Sequence, residues 1–186
     1  PRVVLRRAMA RGVHVTLATG RMIGGAAYFG RQVGVNAALI CCNGGVVQGM
    51  DAPEPLFMRC LPQETVRRLL TLCHARGWYA NWYIGREIFV EHFDAAYFHA
   101  YRTVEDFKVR EVGDDFLSYT ENVIQCVIRD LAGEVEPKVA VVERELPGEI
   151  TAQQHTGTSA DLTPPGVTKA LGLSFLVEQY GLTPAE

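Results

Sequence analysis

Three short segments carry residue types suited to holding an anion. The apolar run 13–18 breaks into Thr19-Gly20-Arg21, a second apolar run, 35–42, breaks into Asn43-Gly44-Gly45, and Pro165-Gly166-Val167-Thr168 leads into Lys169. A buried β-branched strand that ends in a hydroxyl, a glycine and a cation delivers a side-chain O–H, backbone N–H groups and positive charge to a loop at its carboxyl end. Thr19 and the N–H groups after it can donate to phosphoryl-type oxygens, and the positive end of a following helix favours the same anion. Lys169 adds an ammonium, worth up to about 4 kcal/mol at roughly 4 Å from a phosphate charge in an effective dielectric of about 20. A lysine in the first turn of a helix opposes the helix dipole, and a bound anion would compensate it. Asn43 can both donate and accept, and Gly44 permits positive φ and close approach of backbone to ligand. Each residue also has an ordinary reading: a strand-end threonine, a solvated lysine, an Asn-Gly turn, or an Arg21 paired with a carboxylate.

Other chemistry-bearing residues point nowhere in particular. The five cysteines, Cys41, Cys42, Cys60, Cys73 and Cys126, include no C-x-x-C pair, which argues against a zinc site or a redox dithiol. Cys42 ends an apolar run and reads as a buried structural thiol. His14 alternates into a strand, His74 closes a helix, and His92 and His99 lack a third ligand at metal spacing. Asp114-Asp115 reads as a turn or a helix start, and no metal ligand is assigned.

The elements that must position the three segments follow from periodicity and punctuation. Residues 2–11 read as a helix ended by Gly12, residues 13–18 as a core strand, residues 22–33 as a small-residue helix and residues 35–42 as a second strand. That order is the signature of a parallel α/β sheet with its loops at the strands' carboxyl ends. From about Pro53 the pattern changes. Pro62 and Glu64 open a helix whose apolar positions Val66, Leu69, Leu70 and Cys73 recur until Gly77. Residues 78–84 and 87–92 form a hairpin turned at Gly85-Arg86. Asp94 caps a helix through Tyr101, residues 123–128 form a strand, 137–146 a helix and 149–162 one or two strands. Trp78, Tyr79, Trp82 and Tyr83 share one strand, so one pair faces a core and the other a groove or further packing. The expected division is a core of residues 1–53 and 157–186 around an inserted α+β domain at 54–156.

Composition supports a folded chain: 186 residues, 48% hydrophobic, with a formal net charge of −3. Acids and bases are mixed, with no basic stripe for nucleic acid and no polybasic tract for anionic lipid. No apolar stretch approaches the roughly 20 residues that span a bilayer, and no secretory leader opens the sequence, so the expected compartment is cytoplasmic.

The order ATGR, then NG, then GVTK, with a domain-sized gap before the last, resembles the second and third motifs of the haloacid dehalogenase-like hydrolases, specifically the Cof-type phosphatases. The resemblance covers essentially the whole chain. It implies a partial Rossmann-like α/β core with a parallel sheet, an inserted α+β cap that supplies substrate specificity, and Thr19 and Lys169 as catalytic residues that hold phosphate oxygens. Gly20, Arg21, Asn43 and Gly44 fall at substrate- or phosphate-binding positions. The family's Asp-x-Asp-Gly-Thr and Gly-Asp-x-x-Asn-Asp motifs do not occur in this sequence. The chain therefore reads as an internal portion of a hydrolase whose nucleophilic aspartate and magnesium ligands lie outside it, and which alone is inactive or nearly so. The implied activity is magnesium-dependent hydrolysis of a small phosphorylated metabolite, most readily a sugar phosphate, through an aspartyl phosphate, by a monomer or homodimer. The alternatives are a noncatalytic fragment that binds anions or self-associates, and a phosphomutase or phosphotransferase of the same superfamily.

Overall fold

The computed structural model describes residues 2–101 and 108–183, which divide into two compact units: residues 2–58 with 167–183, and residues 59–101 with 108–166. In the first unit, α1 (Arg2–Met9) is followed by an extended stretch, then α2 (Ile23–Val33), β1 (Leu39–Cys41), β2 (Val46–Gln48), β3 (Phe57–Met58) and, after the second unit, α5 (Lys169–Gln179). The strand expected at 13–18 is an extended segment parallel to β1. Ala37 and Ile40 N–H donate to the Val15 and Leu17 carbonyls, Thr19 N–H donates to the Ile40 carbonyl, and Ala18 and Ile40 form a parallel bridge. Regular pairing is confined to that bridge because Asn36 takes over nearby: its Oδ1 accepts Val15 N–H at 2.8 Å and its Nδ2 donates to the Val13 carbonyl at 3.1 Å. The second strand is likewise shorter than expected, and it turns back through antiparallel β2 to β3, which makes the sheet mixed. Leu39, Ile40 and Cys41 are fully buried, as a central strand of apolar residues requires. On the buried side of α2, all residues after Ile23, namely Gly24, Ala26, Ala27 and Gly30, are glycine or alanine.

The second unit is an α+β sandwich. Its six-stranded sheet has the order β6-β5-β4-β7-β9-β8, built from β4 (Tyr79–Ile84), β5 (Glu87–Val90), β6 (Lys108–Glu111), β7 (Val123–Arg129), β8 (Thr151–Thr156) and β9 (Ser159–Thr163). All pairings are antiparallel except β5 with β6. The helices α3 (Gln63–Ala75) and α4 (Val135–Glu145) bury Val66, Leu69, Leu70, Val139 and Val142 against Trp82, Phe89, Cys126, Ile128 and Leu162 of the sheet. Alternation along the strands directs those sheet residues to the helix side. Glu149 ties α3 to the segment after α4: its carboxylate accepts from Thr65 Oγ1 at 2.8 Å and from Arg68 at 2.6 Å. Among the described residues no helix is long and apolar enough to cross a membrane.

Two boundaries differ from expectation. Residues 54–58 belong with the first unit because β3 pairs with β2, Val47 opposite Phe57 and Val46 opposite Met58. Residues 157–166 belong with the second because β9 pairs with both β7 and β8. The helix expected from Asp94 to Tyr101 is a 3-10 helix over Ala95–Tyr101, with Ala96 N–H donating to Asp94 Oδ1 at 2.9 Å. Asp114 and Asp115 stand in the first turn of another 3-10 helix, Gly113–Ser118.

Candidate functional site

The first unit brings the three anion-directed segments to one place, and main-chain hydrogen bonds do most of the joining. Thr19 N–H is fixed on the Ile40 carbonyl at 2.9 Å, Asn43 N–H donates to the Thr19 carbonyl at 3.0 Å, and Cys42 N–H donates to the Arg21 carbonyl at 2.9 Å. The loop 19–21 and the turn Cys42–Gly44 are thus held together as one rigid block. Thr19 Oγ1 accepts Arg21 N–H at 3.2 Å, which orients the hydroxyl and leaves its hydrogen to donate.

The turn itself is strained. Cys42, Asn43 and Gly44 have φ of 47°, 57° and 103° in succession, and only the last is a glycine. Non-glycine residues in this region cost on the order of 1–2 kcal/mol each, and such residues concentrate at binding sites. Asn43 is fully enclosed at 0% exposure, so its side chain lies inside the block. The strain at Cys42 has no local sequence signal, since an apolar run before Asn-Gly reads as an ordinary strand end.

Helix α5 docks directly on this turn. A Cβ on Gly44 would stand 1.9 Å from the Thr168 carbonyl oxygen and 3.0 Å from Lys169 N, so only a glycine allows the helix to start there. A second close approach lies one turn along α5, where a Cβ on Gly172 would meet Ile40 Cγ2 at 2.5 Å and Gly44 Cα at 3.3 Å. Thr168 caps the helix by accepting Leu171 N–H on its hydroxyl at 3.1 Å. Lys169 is the first helical residue and is solvent-exposed; among the described residues it makes no ion pair or hydrogen bond. Arg21 is half-buried and stands over the Phe29 ring, 5.2 Å from its centroid. The assembled block therefore offers a hydroxyl from Thr19, the N-terminus of α5 with an uncommitted ammonium, and a rigid turn between them. This is an arrangement for an oxyanion.

Residues 2–186 match the model of the haloacid dehalogenase-like hydrolase family. The chain belongs to that family. Among solved structures, a haloacid dehalogenase-like hydrolase from Bacteroides thetaiotaomicron is 27% identical, with a TM-score of 0.84 over 98% of this chain and 70% of that one. A subclass IIB sugar phosphatase of the superfamily is 20% identical, with a TM-score of 0.78 over 96% of this chain and 67% of that one. A haloacid dehalogenase-like hydrolase from B. subtilis is 13% identical, with a TM-score of 0.77 over 96% of this chain and 71% of that one. No curated protein sequence matches the chain. Membership accounts for the α/β core and makes hydrolase chemistry the family-level reading.

In this haloacid dehalogenase-like hydrolase the aromatic pairs of β4 separate as alternation requires. Trp82 lies in the second unit's core with its Nε1 donating to the Tyr119 carbonyl at 2.7 Å, and Trp78 packs at the edge of the same core. Tyr79 and Tyr83 face the other side, with Tyr79 stacked on Tyr97 at 3.8 Å and Tyr83 buried. That other side carries a polar set absent from the sequence reading: Asn81, Gln125, Asp161 and Thr163 are all buried, and Asn81 Oδ1 accepts Arg129 Nε at 2.8 Å. Their alternation with apolar residues was legible, but their burial was not. Among the described residues no group of three or more His, Cys, Asp or Glu side chains could hold a metal ion.

Proposed function

We propose that this chain is the phosphate-anchoring and cap-bearing portion of a phosphomonoester hydrolase that acts on a small phosphorylated metabolite, a sugar phosphate being the first candidate. The observation that carries the reading is the docking of α5 on Gly44, which fixes an unpaired Lys169 beside the block that holds Thr19. Thr19 would donate its hydroxyl hydrogen to one phosphate oxygen, and Lys169 would balance the dianion that persists through transfer of the phosphoryl group. The second unit would act as the cap, with Arg129, Asn81 and Asp161 on its polar sheet face as candidates for discriminating among substrates. The magnesium that the resemblance implies finds no ligand set among the described residues, and the attacking aspartate of the family's first motif is not in this sequence.

The test is a magnesium-dependent p-nitrophenyl phosphate assay on purified protein of known intact mass, with Lys169→Ala beside it. Turnover lost by a factor of about 100 or more in the variant supports the anchor. Turnover unchanged in the variant overturns it. If the protein with this mass shows no turnover yet protects its α5 amides from hydrogen exchange when orthophosphate is added, the second reading applies, an anion-binding chain without catalysis.

A further inference from the structure

We propose that the second unit carries a binding cleft for a small organic cation, a primary ammonium compound with an apolar or aromatic body. The cleft has a volume of about 380 Å³, and its described lining residues all belong to that unit. Its size falls within the range of small-ligand sites, roughly 300–1,000 Å³. Trp78, Tyr79, Tyr97 and Phe116 supply the walls, and Glu91 and Asp94 supply the charge.

The acid is held in place by its surroundings. His74 stacks on Phe116 with ring centroids 5.0 Å apart, which fixes the imidazole so that Nδ1 meets Glu91 Oε1 at 2.8 Å. His92 Nε2 approaches the same oxygen at 3.4 Å. The Glu91 side chain is 25% exposed, so a cation beside it would be less screened than on an open surface. Asp94 uses Oδ1 to cap Ala96, and its backbone N–H donates to Tyr79 Oη at 3.4 Å; among the described residues Asp94 Oδ2 has no hydrogen-bond partner and can serve a ligand. Aromatic walls beside carboxylates are the chemistry that recognises alkylammonium ions, through the ring quadrupole and charge-assisted hydrogen bonds.

The walls already show this preference. The Arg76 guanidinium lies 5.3 Å and the Lys138 ammonium 5.6 Å from the Trp78 ring centroid. Lys138 is matched by Asp130 at 2.7 Å. Glu91 and Asp94 are the carboxylates of the lining, and no lysine or arginine stands among the described lining residues; Arg76 and Lys138 lie behind Trp78, and Arg129 beside Tyr79 and Phe98. An anionic ligand is repelled there, and a neutral aromatic compound leaves the carboxylates unused.

Trp78 stands in the wall of this cleft and Trp82, the chain's other tryptophan, lies in the core behind it, so selectively excited tryptophan fluorescence reports on this unit. We would titrate the full chain at neutral pH with benzylammonium, benzyl alcohol and benzoate. The expected result is saturable quenching by benzylammonium with an affinity at least about tenfold above that of benzyl alcohol, and none by benzoate. Glu91→Gln, with its melting temperature measured in parallel, should lose about tenfold for benzylammonium and leave benzyl alcohol unchanged. Equal response to benzylammonium and benzyl alcohol in the unaltered protein overturns the proposal without recourse to a variant. So does calorimetric binding of benzylammonium that leaves the fluorescence untouched, or the absence of binding at millimolar concentration.

Discussion

Replacing Gly44 by alanine tests the central geometry. Two costs can be worked from the structure. The first is conformational: at φ 103° an L-residue is strained by about 1–2 kcal/mol. The second is steric: the new Cβ would stand 1.9 Å from the Thr168 carbonyl oxygen and 2.5 Å from its carbon, and overpacking of this kind costs about 1–3 kcal/mol even where side chains can yield. Here the obstacle is backbone at a helix start, so the sum should reach the upper end, about 4–5 kcal/mol, against a typical stability of about 5–15 kcal/mol. Gly12→Ala serves as the control in the same unit, since Gly12 has φ 87° but nothing within 4 Å of the added carbon, and should lose only the conformational part. Gly172→Ala is intermediate: better helix propensity, worth about 1 kcal/mol, is set against a contact of 2.5 Å with the Ile40 methyl. Urea denaturation followed by circular dichroism gives all three values. If Gly44→Ala costs no more than Gly12→Ala, α5 does not rest on the turn, and the placement of Lys169 beside Thr19 is wrong.

Three further outcomes follow from the charges and thiols. Hydrogen bonding from Thr65, then from Arg68, holds the Glu149 carboxyl below the usual carboxylate value of 4.5; its stabilisation is therefore present at neutral pH and lost as pH falls through 4.5 and below. Glu149→Gln should be less stable than the parent at pH 7, with the gap closing by pH 3 in urea melts. Burial pushes the Tyr79 hydroxyl up to about 12, so its contribution is present below pH 10 and lost between about 10 and 12; Tyr79→Phe should flatten that part of the alkaline stability profile. Burial also pushes Cys41 and Cys73 up to about 12 and Cys126 higher still, whereas Cys60 is only half-buried; alkylation at pH 8 read by mass spectrometry should therefore reach Cys60 first and the other three only on unfolding.

The sequence announced its α-helices and the hairpin of β4 and β5 well, because these rest on local chemistry. Pro62 and Gly77 bracket α3, and Gly85 turns β4 into β5 with Ile84 opposite Glu87. It said little about β6, whose residues Lys108–Glu111 alternate weakly at a sheet edge and pair parallel to β5, a choice made by tertiary contact. It left the 149–162 region open between one strand and two, and only the pairing of β9 with β7 assigns the hairpin to the second sheet. The site divides in the same way. Thr19 and Lys169 stand out as candidates because their types follow a strand and open a helix. The fit of Thr168 onto Gly44 was not, because a contact between residues so distant in sequence leaves no periodic trace in either segment.

One consequence reaches the order in which the molecule is built. The first unit is made of two stretches separated by the whole of residues 59–166. Were that intervening chain unfolded, bringing α5 to the turn at Gly44 would mean closing a loop of roughly a hundred residues, at an entropic cost of about 4 kcal/mol. Collapse of the intervening unit shortens that search to the span between its own ends. Assembly of the Lys169 anchor is therefore expected to follow collapse of residues 59–166, and a defect in the six-stranded sheet should slow it without altering Thr19, Gly44 or Lys169.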